Sequence, residues 1–287
     1  MPIRKMLLPL TGTAAGEAAL ATALQVARRF DAHLSAVHVR VDSRDVAPLA
    51  GEGLSGAMVE EMMAATDKES GDRSDAVRAM FDRFAARHGV TLAAPRRGAG
   101  ATASFEVVTG REEDLIAQLA RLADLCVVPH PEGGDEVSSS GALHAVLFDS
   151  GRPVLIAALD PPGGIGERVC VAWNGTAESA EAVSAALPWL ARAQAVRVLH
   201  AEEYQRRGPS APELAKYLAL HGVAAEVAQF RPIDREVGRG LLAAAAEFGA
   251  DLLCMGAYSH SRLRQLILGG VTRHVLENAR VPVLMTR

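Results

Sequence analysis

The stretch that decides the fold is "RVCVAWNGTAESAEAVSAALPWLARAQAVRVLHA", residues 168–201, because the chain carries it twice. Its counterpart, "KMLLPLTGTAAGEAALATALQVARRFDAHLSAVHV", spans residues 5–39. Each copy has an apolar run, a Gly-Thr turn, a stretch rich in small residues and a second apolar run near a histidine. Short apolar runs separated by a helical stretch are typical of a βαβ unit. The chain therefore opens each half with the same unit.

The repetition continues in the same order to the end of each half. "ARHGVTL" is matched by "ALHGVAA", "ADLCVV" by "ADLLCM", and "RPVLIA" by "VPVLMT". Self-similarity of this kind indicates a tandem duplication. Between the copies lies "DPPGGIGE", whose Pro and Gly content suits a linker. We therefore predict two domains, over residues 1–159 and 166–287.

Runs of Val, Leu and Ile predict five strands in each half, with helices between them. In the first half they cover residues 5–10, 34–39, 104–108, 125–128 and 153–157. In the second half they cover residues 169–173, 196–201, 225–229, 252–255 and 282–285. Strands alternating with helices indicate a parallel sheet covered on both faces. The predicted fold class is α/β, with two doubly wound five-stranded parallel-sheet domains in tandem. Ligands of such sheets bind at the carboxyl ends of the strands, here between the first and fourth.

The stretch "MGAYSHSRLRQLILGGVTRHVL", residues 255–276, follows the fourth strand of the second half. Gly256 closes the strand, and Gly269 and Gly270 precede a predicted helix. Free backbone N–H groups at a helix start favour phosphate, and the Thr272 hydroxyl or His260 can add donors. The glycines alone are equally compatible with turns that bind nothing.

The spacing in this stretch resembles the nucleotide loop G-x2-G-x9-G-[S/T] of universal stress proteins. The "VAWNGTAES" opening and the "VPVLM" ending of the second half are similar to signatures of that family. The resemblance implies an adenine nucleotide alpha hydrolase-like fold that binds ATP or ADP. It places the phosphates at Gly256, Ser259, His260, Gly269, Gly270, Val271 and Thr272. It places adenine and ribose at Ala172, Trp173, Asn174 and Ala201.

Three of these residues depart from the family pattern. Ser259 stands at the second glycine, Gly270 at the Ser/Thr, and Asn174 where nucleotide-binding members usually have Asp. Asn174 keeps hydrogen-bonding capacity but lacks the charge that could help to hold Mg²⁺ beside the nucleotide. Trp173 could pack against a purine or fill space. The resemblance implies a stress-response protein with little or no hydrolysis, and so no enzyme and no catalytic residues. The alternative is an interaction or dimerisation module of the same fold that binds no nucleotide.

The corresponding stretch of the first half departs further from the pattern. Pro129 stands at the first glycine and has no N–H to donate, while Glu132, Asp135 and Glu136 would repel phosphate. We therefore expect nucleotide in the second half alone, with the first half acting as an internal dimerisation partner. Since family members commonly pair such domains, a homodimer of whole chains and an unknown protein partner stay open.

Composition and charge indicate which partners and which location to expect for the protein. The net charge of −4 disfavours a nucleic acid or anionic membrane partner, and no apolar run approaches the ~20 residues of a membrane span. The chain is expected to be cytoplasmic, with Cys126, Cys170 and Cys254 as small core residues. No metal-binding spacing occurs, and His38 and His200 are interpreted as structural.

An insert at residues 42–72 is longer than its counterpart in the second half. Met58, Met62 and Met63 in it could form an apolar helix face for a partner or a lid. The simpler interpretation is a connector followed by a helix that covers the domain.

Overall fold

The computed structural model describes residues 2–45, 55–95, 98, 100–131, 141–160, 163–201, 208–257 and 270–287. The strands of the first half are β1 (Lys5–Pro9), β2 (His33–Arg40), β3 (Thr91–Leu92), β4 (Thr102–Thr109), β5 (Leu125–Val128) and β6 (Val154–Ile156). Its helices are α1 (Ala14–Phe30), α2 (Gly56–His88), α3 (Glu112–Ala120) and α4 (Gly141–His144). A 3₁₀ turn (Ser43–Asp45) precedes α2, and a π-helical turn (Ala145–Ser150) continues α4.

The second half repeats this order of elements. Its strands are β7 (Arg168–Ala172), β8 (Ala195–His200), β9 (Ala225–Gln229), β10 (Leu252–Gly256) and β11 (Val283–Thr286). Its helices are α5 (Ala177–Leu190), α6 (Ala211–Leu220), α7 (Val237–Phe248) and α8 (Gly270–Asn278). The predicted fold class is confirmed, and each predicted strand is present to within two residues at either end. The short β3 at the edge of the sheet was not predicted.

All eleven strands belong to one sheet, in the order β3-β4-β2-β1-β5-β6-β11-β10-β7-β8-β9. Neighbours within each half are parallel, but β6 and β11 pair antiparallel about Leu155 and Leu284. Those two leucines occupy the same position in "RPVLIA" and "VPVLMT". The two predicted sheets are thus continuous and related by a pseudo-twofold axis. The strand order of the second half reverses between β7 and β10, the two strands between which the ligand site is predicted.

Helices cover both faces of the sheet and bury two apolar layers. On one face α1, α2, α5 and α6 contribute residues such as Leu20, Phe81 and Leu214. On the other, α3, α4, α7 and α8 contribute residues such as Ile116 and Val275. Because both faces of every central strand are buried, the strands are continuous apolar runs rather than alternating ones.

The insert contributes to α2, which has 33 residues where its counterpart α6 has 10. Ser55 caps its start, since the Ser55 side chain accepts a hydrogen bond from the Met58 N–H. Buried residues of α2 begin at Ser70, and Met58 is 52% exposed. The later turns therefore cover the domain, as the simpler interpretation expects, while the early turns extend beyond the core. Residues 46–54 lie outside the described part of the chain.

In the linker, Ile165 is buried in the apolar layer to which both halves contribute. Gly166 adopts a left-handed conformation, φ +81°, and a Cβ there would lie 2.6 Å from the Trp189 ring. This close approach requires glycine. Within the described ranges, no helix has both the length and the apolar character needed to span a membrane.

Candidate functional site

The candidate site lies at the carboxyl ends of β7, β8 and β10 in the second half. β7 ends at Ala172, and the Trp173 N–H donates to the Leu199 carbonyl at 2.9 Å, which aligns the ends of β7 and β8. Ala201 follows β8 and is buried. The structure thus brings Ala172, Trp173, Asn174 and Ala201 to one edge of the sheet.

Trp173 fills space within the protein. Its side chain is 7% exposed and belongs to the core under α5 and α6. The indole N–H donates to the Pro209 carbonyl at 2.8 Å. The segment that contains Pro209 packs closely against the turn after β7. A Cβ at the neighbouring Gly208 would lie 2.0 Å from the Gly175 carbonyl oxygen. The geometry favours the space-filling interpretation of this tryptophan over stacking on a purine.

The Asn174 side chain is hydrogen-bonded to Thr176, the residue that caps α5. Its Oδ1 accepts from the Thr176 N–H at 3.2 Å and from the Thr176 hydroxyl at 2.9 Å. Thr176 in turn caps α5 by accepting from the Ser179 N–H. The first half has the same arrangement, with Thr11 bonded to the capping residue Thr13 at 3.0 Å. The residue at this position therefore stabilises a helix start in both halves.

Gly256 lies at the end of β10, where the ligand is predicted, and it also packs against the backbone of α5. A Cβ there would lie 2.5 Å from the Glu178 carbonyl carbon and 2.6 Å from the Ser179 nitrogen. The first turn of α5 therefore rests directly on this glycine, so packing alone would require it. Ser259, His260 and Gly269 lie outside the described residues.

Besides Gly256, the start of α8 is the part of the predicted phosphate site that the structure describes. Gly270 is its exposed first residue, and among the described residues nothing lies within 4 Å of a Cβ placed there. Val271 is half-buried, and Thr272 is 5% exposed. The first-turn N–H groups have no partner within a helix, and they carry the positive end of its dipole. Because Thr272 points inward, Gly270 is the residue at which an anion could approach.

The same position in the first half is Gly141, since "SGALHAVLFDSGRP" aligns with "GGVTRHVLENARVP". A Cβ at Gly141 would lie 3.0 Å from Glu113 Cγ and 3.1 Å from Glu113 Oε1. Glu113 belongs to the acidic first turn of α3, together with Glu112 and Asp114. The pKa of Glu112 is raised, chiefly because burial disfavours its charged form. The charge of His38 acts to lower this pKa, and the charge of Glu113 acts to raise it. A carboxylate thus lies beside Gly141 in the first half, whereas none of the described residues lies within 4 Å of a Cβ placed at Gly270 in the second.

Glu113 is not among the site residues predicted from the sequence. The signal was present in "EED" at residues 112–114, but it lies far along the chain from Gly141. Pro129, which the sequence pattern does single out, directly follows β5. Glu132, Asp135 and Glu136 lie outside the described residues.

The described residues hold no cluster of three or more His, Cys, Asp or Glu side chains arranged for a metal ion. Burial raises the pKa of the Cys126 thiol to about 12 and that of Cys170 to about 12. It also raises the pKa of Cys254. These thiols therefore behave as core residues rather than nucleophiles.

A doubly wound parallel α/β sheet that occurs twice, joined through an antiparallel β6–β11 pair, defines the class of tandem two-domain α/β proteins. The model of the universal stress protein family matches residues 2–135 and 166–287. The chain therefore belongs to the universal stress protein family, with two tandem domains. The exact bounds 1–159 and 166–287 stay a prediction.

Solved structures of similar architecture cover the whole chain. A universal stress protein from Archaeoglobus fulgidus DSM 4304 has a TM-score of 0.67 at 16% identity, over 99% of this chain and 98% of that one. A functionally unknown protein from Pseudomonas aeruginosa PAO1 has a TM-score of 0.53 at 14% identity, over 99% and 92%. At these identities the likeness shows the fold alone. A comparison with curated proteins finds no match.

Proposed function

We propose that this universal stress protein binds one adenine nucleotide, ATP or ADP, at the second-half edge of the sheet, with little or no hydrolysis. The observation that carries the proposal is the contrast between two equivalent glycines. Gly270 faces open space among the described residues, whereas Gly141 faces the Glu113 carboxylate. An anion at the start of α8 is favoured by the helix dipole, while one at the start of α4 would meet a like charge.

The chain's own residues would contribute binding and orientation. The first-turn amides of α8 would hold phosphate oxygens, together with the predicted Gly256, Ser259, His260 and Gly269. Ala172, Trp173, Asn174 and Ala201 would line the base and ribose, mainly through backbone, because the Trp173 and Asn174 side chains already have protein partners. Any Mg²⁺ would be held by the phosphates rather than by a carboxylate at residue 174. A cytoplasmic location belongs to the same proposal.

Those side-chain partners also favour a second candidate function. If the base has no room beside Trp173 and Pro209, the domain is an interaction module that binds no nucleotide. The two functions differ in one measurable property, since ligand that binds the folded state alone raises its stability by about 2.7 kcal/mol at one hundred times Kd.

The test is thermal unfolding with and without millimolar ATP. For domains of this size the shift in Tm is expected to be several degrees, at about 2–4 °C per kcal/mol. Gly270→Asp places a carboxylate at the helix start, where no described residue lies within 4 Å of the new Cβ, so we expect the fold to tolerate it while phosphate is repelled. This variant should lose the shift, and Gly270→Asn, which adds the same bulk without charge, should keep most of it.

Gly164→Asp is the matched control, because Gly164 is an exposed linker residue with nothing described within 4 Å of its Cβ position. It makes the same change of residue and charge away from the site, and the ATP shift should persist. Absence of any shift in the wild-type protein would favour the interaction module.

A further inference from the structure

We propose that Gly238 of α7 is a positioning residue for the phosphate site, because α8 packs directly against it. A side chain at residue 238 would displace α8 and carry its first turn, Gly270 to Thr272, away from the phosphate. The inference rests on the proposed nucleotide function and names a residue outside the family's binding loop that sets the geometry of that loop's helix.

The contact at Gly238 is very close. Gly238 is the buried second residue of α7, and a Cβ there would lie 2.8 Å from His274 Cβ, 3.0 Å from Cγ and 3.1 Å from Cδ2. Two carbon atoms do not approach to 2.8 Å without a shift of one of them. Glycine is a much poorer helix former than alanine, so its presence in a helix rich in Ala and Leu indicates a packing requirement.

The helix that would yield is α8 rather than α7. Next along α7, a Cβ at Gly240 would lie 2.2 Å from the Arg231 carbonyl oxygen, so the chain entering α7 already rests against it. That entry is a tight turn in which Ile233 and Glu236 exchange backbone hydrogen bonds of 3.3 and 2.8 Å. Asp234 and Arg235 hold left-handed conformations, φ +52° and +66°. A turn fixed in this way leaves the start of α7 little freedom to move.

The other interactions near His274 are a weak ion pair and the apolar packing of α8 on α7. His274 Nδ1 lies 3.6 Å from Glu236 Oε2, but the Glu236 side chain is 59% exposed, so this pair contributes little. Val275 and Leu276 of α8 are buried in the same apolar layer as Leu241 of α7. His274 stands about one helical turn, roughly 5.4 Å, below Gly270. A displacement at His274 therefore moves the first turn of α8 with it.

The experiment is a titration calorimetry cycle with Mg-ATP on the full-length protein. Gly238→Ala should raise Kd roughly tenfold, which corresponds to the loss of about one hydrogen bond to a charged group. His274→Gly should change Kd little. The double variant Gly238→Ala/His274→Gly adds a Cβ to α7 and removes the His274 side chain that this Cβ would meet. It should therefore restore Kd to within about threefold of wild type.

Gly56→Ala is the matched control, since Gly56 is helical with nothing described within 4 Å of its Cβ position. It should leave Kd unchanged. A wild-type Kd in Gly238→Ala, or a double variant that stays weak, would overturn the inference while leaving the proposed function intact. A wild-type protein that binds no ATP would overturn both.

Discussion

Arg29 and Arg192, which occupy the same position in the two halves, bind each other reciprocally. Arg29 Nη2 donates to the Arg192 carbonyl at 2.9 Å, and Arg192 Nη1 donates to the Arg29 carbonyl at 2.6 Å. Such mutual contacts are the mark of a twofold interface between identical subunits. Together with the antiparallel β6–β11 pair, they show that the two halves associate as the subunits of a symmetric dimer would.

We expect Arg29 to contribute strongly to stability through this interface. Its guanidinium also donates to the Gly166 carbonyl at 2.8 Å and pairs with Glu167. Arg29→Ala should lower the free energy of unfolding by about 2 kcal/mol, because charged hydrogen bonds between the halves are lost. Urea denaturation measures the change.

Arg73→Ala is the control for that measurement, since Arg73 forms an exposed pair with Glu69 on α2. Its loss should cost no more than about 0.5 kcal/mol. Equal effects of the two substitutions would mean that the contacts around Arg29 do not hold the halves together.

His33 should make stability depend on pH. Its ring bridges β2 and β4 through Thr102 Oγ1 at 2.9 Å and Ser104 Oγ at 3.0 Å. Burial, and then the charge of Lys5, lower its pKa below 6.5. Between the lowered pKa and 6.5 the unfolded chain binds more protons than the folded one, so stability falls as the pH falls through that range.

Urea titrations at pH 7.5 and pH 5.5 test this sign. The wild-type protein should be less stable at pH 5.5, and His33→Gln should show a smaller difference. Part of the difference should remain, since burial also lowers the pKa of His144. A wild-type protein that gains stability at pH 5.5 relative to pH 7.5 would refute the prediction.

The three cysteines should react only on unfolding. Burial raises the pKa of Cys126 and of Cys170 to about 12, so almost no thiolate exists at pH 8. We expect no reaction with a disulfide reagent in the native state and three thiols per chain in urea. Rapid native labelling of even one thiol would contradict the assigned burial.

Hydrolysis of ATP should be far slower than an ordinary enzymatic rate of about 10 per second. Both acceptor positions of Asn174 Oδ1 are occupied by Thr176, so it is not free to orient a water. Phosphate release measured on purified protein tests this. Gly270→Asp is the binding-deficient control, since no described residue lies within 4 Å of its Cβ position.

The fold was predictable because the sequence records it twice in local patterns. The buried strand β5 and the edge strand β9 coincide with the predicted runs, residues 125–128 and 225–229. The pairing of β6 with β11 was not predictable, since it joins residues about 130 positions apart and has no local signature. The same holds within the site, where the Trp173 indole meets Pro209 and Glu113 meets Gly141 through distant segments. Local patterns therefore located the edge of the sheet but not what its side chains contact.

The most direct test of the central claim is the number of nucleotides that one chain binds, measured by titration calorimetry with Mg-ATP. The account predicts one site per chain, lost in Gly270→Asp and retained in Gly164→Asp. Two sites per chain would contradict the assignment of the first half as closed by Glu113, and no site would contradict the nucleotide function itself.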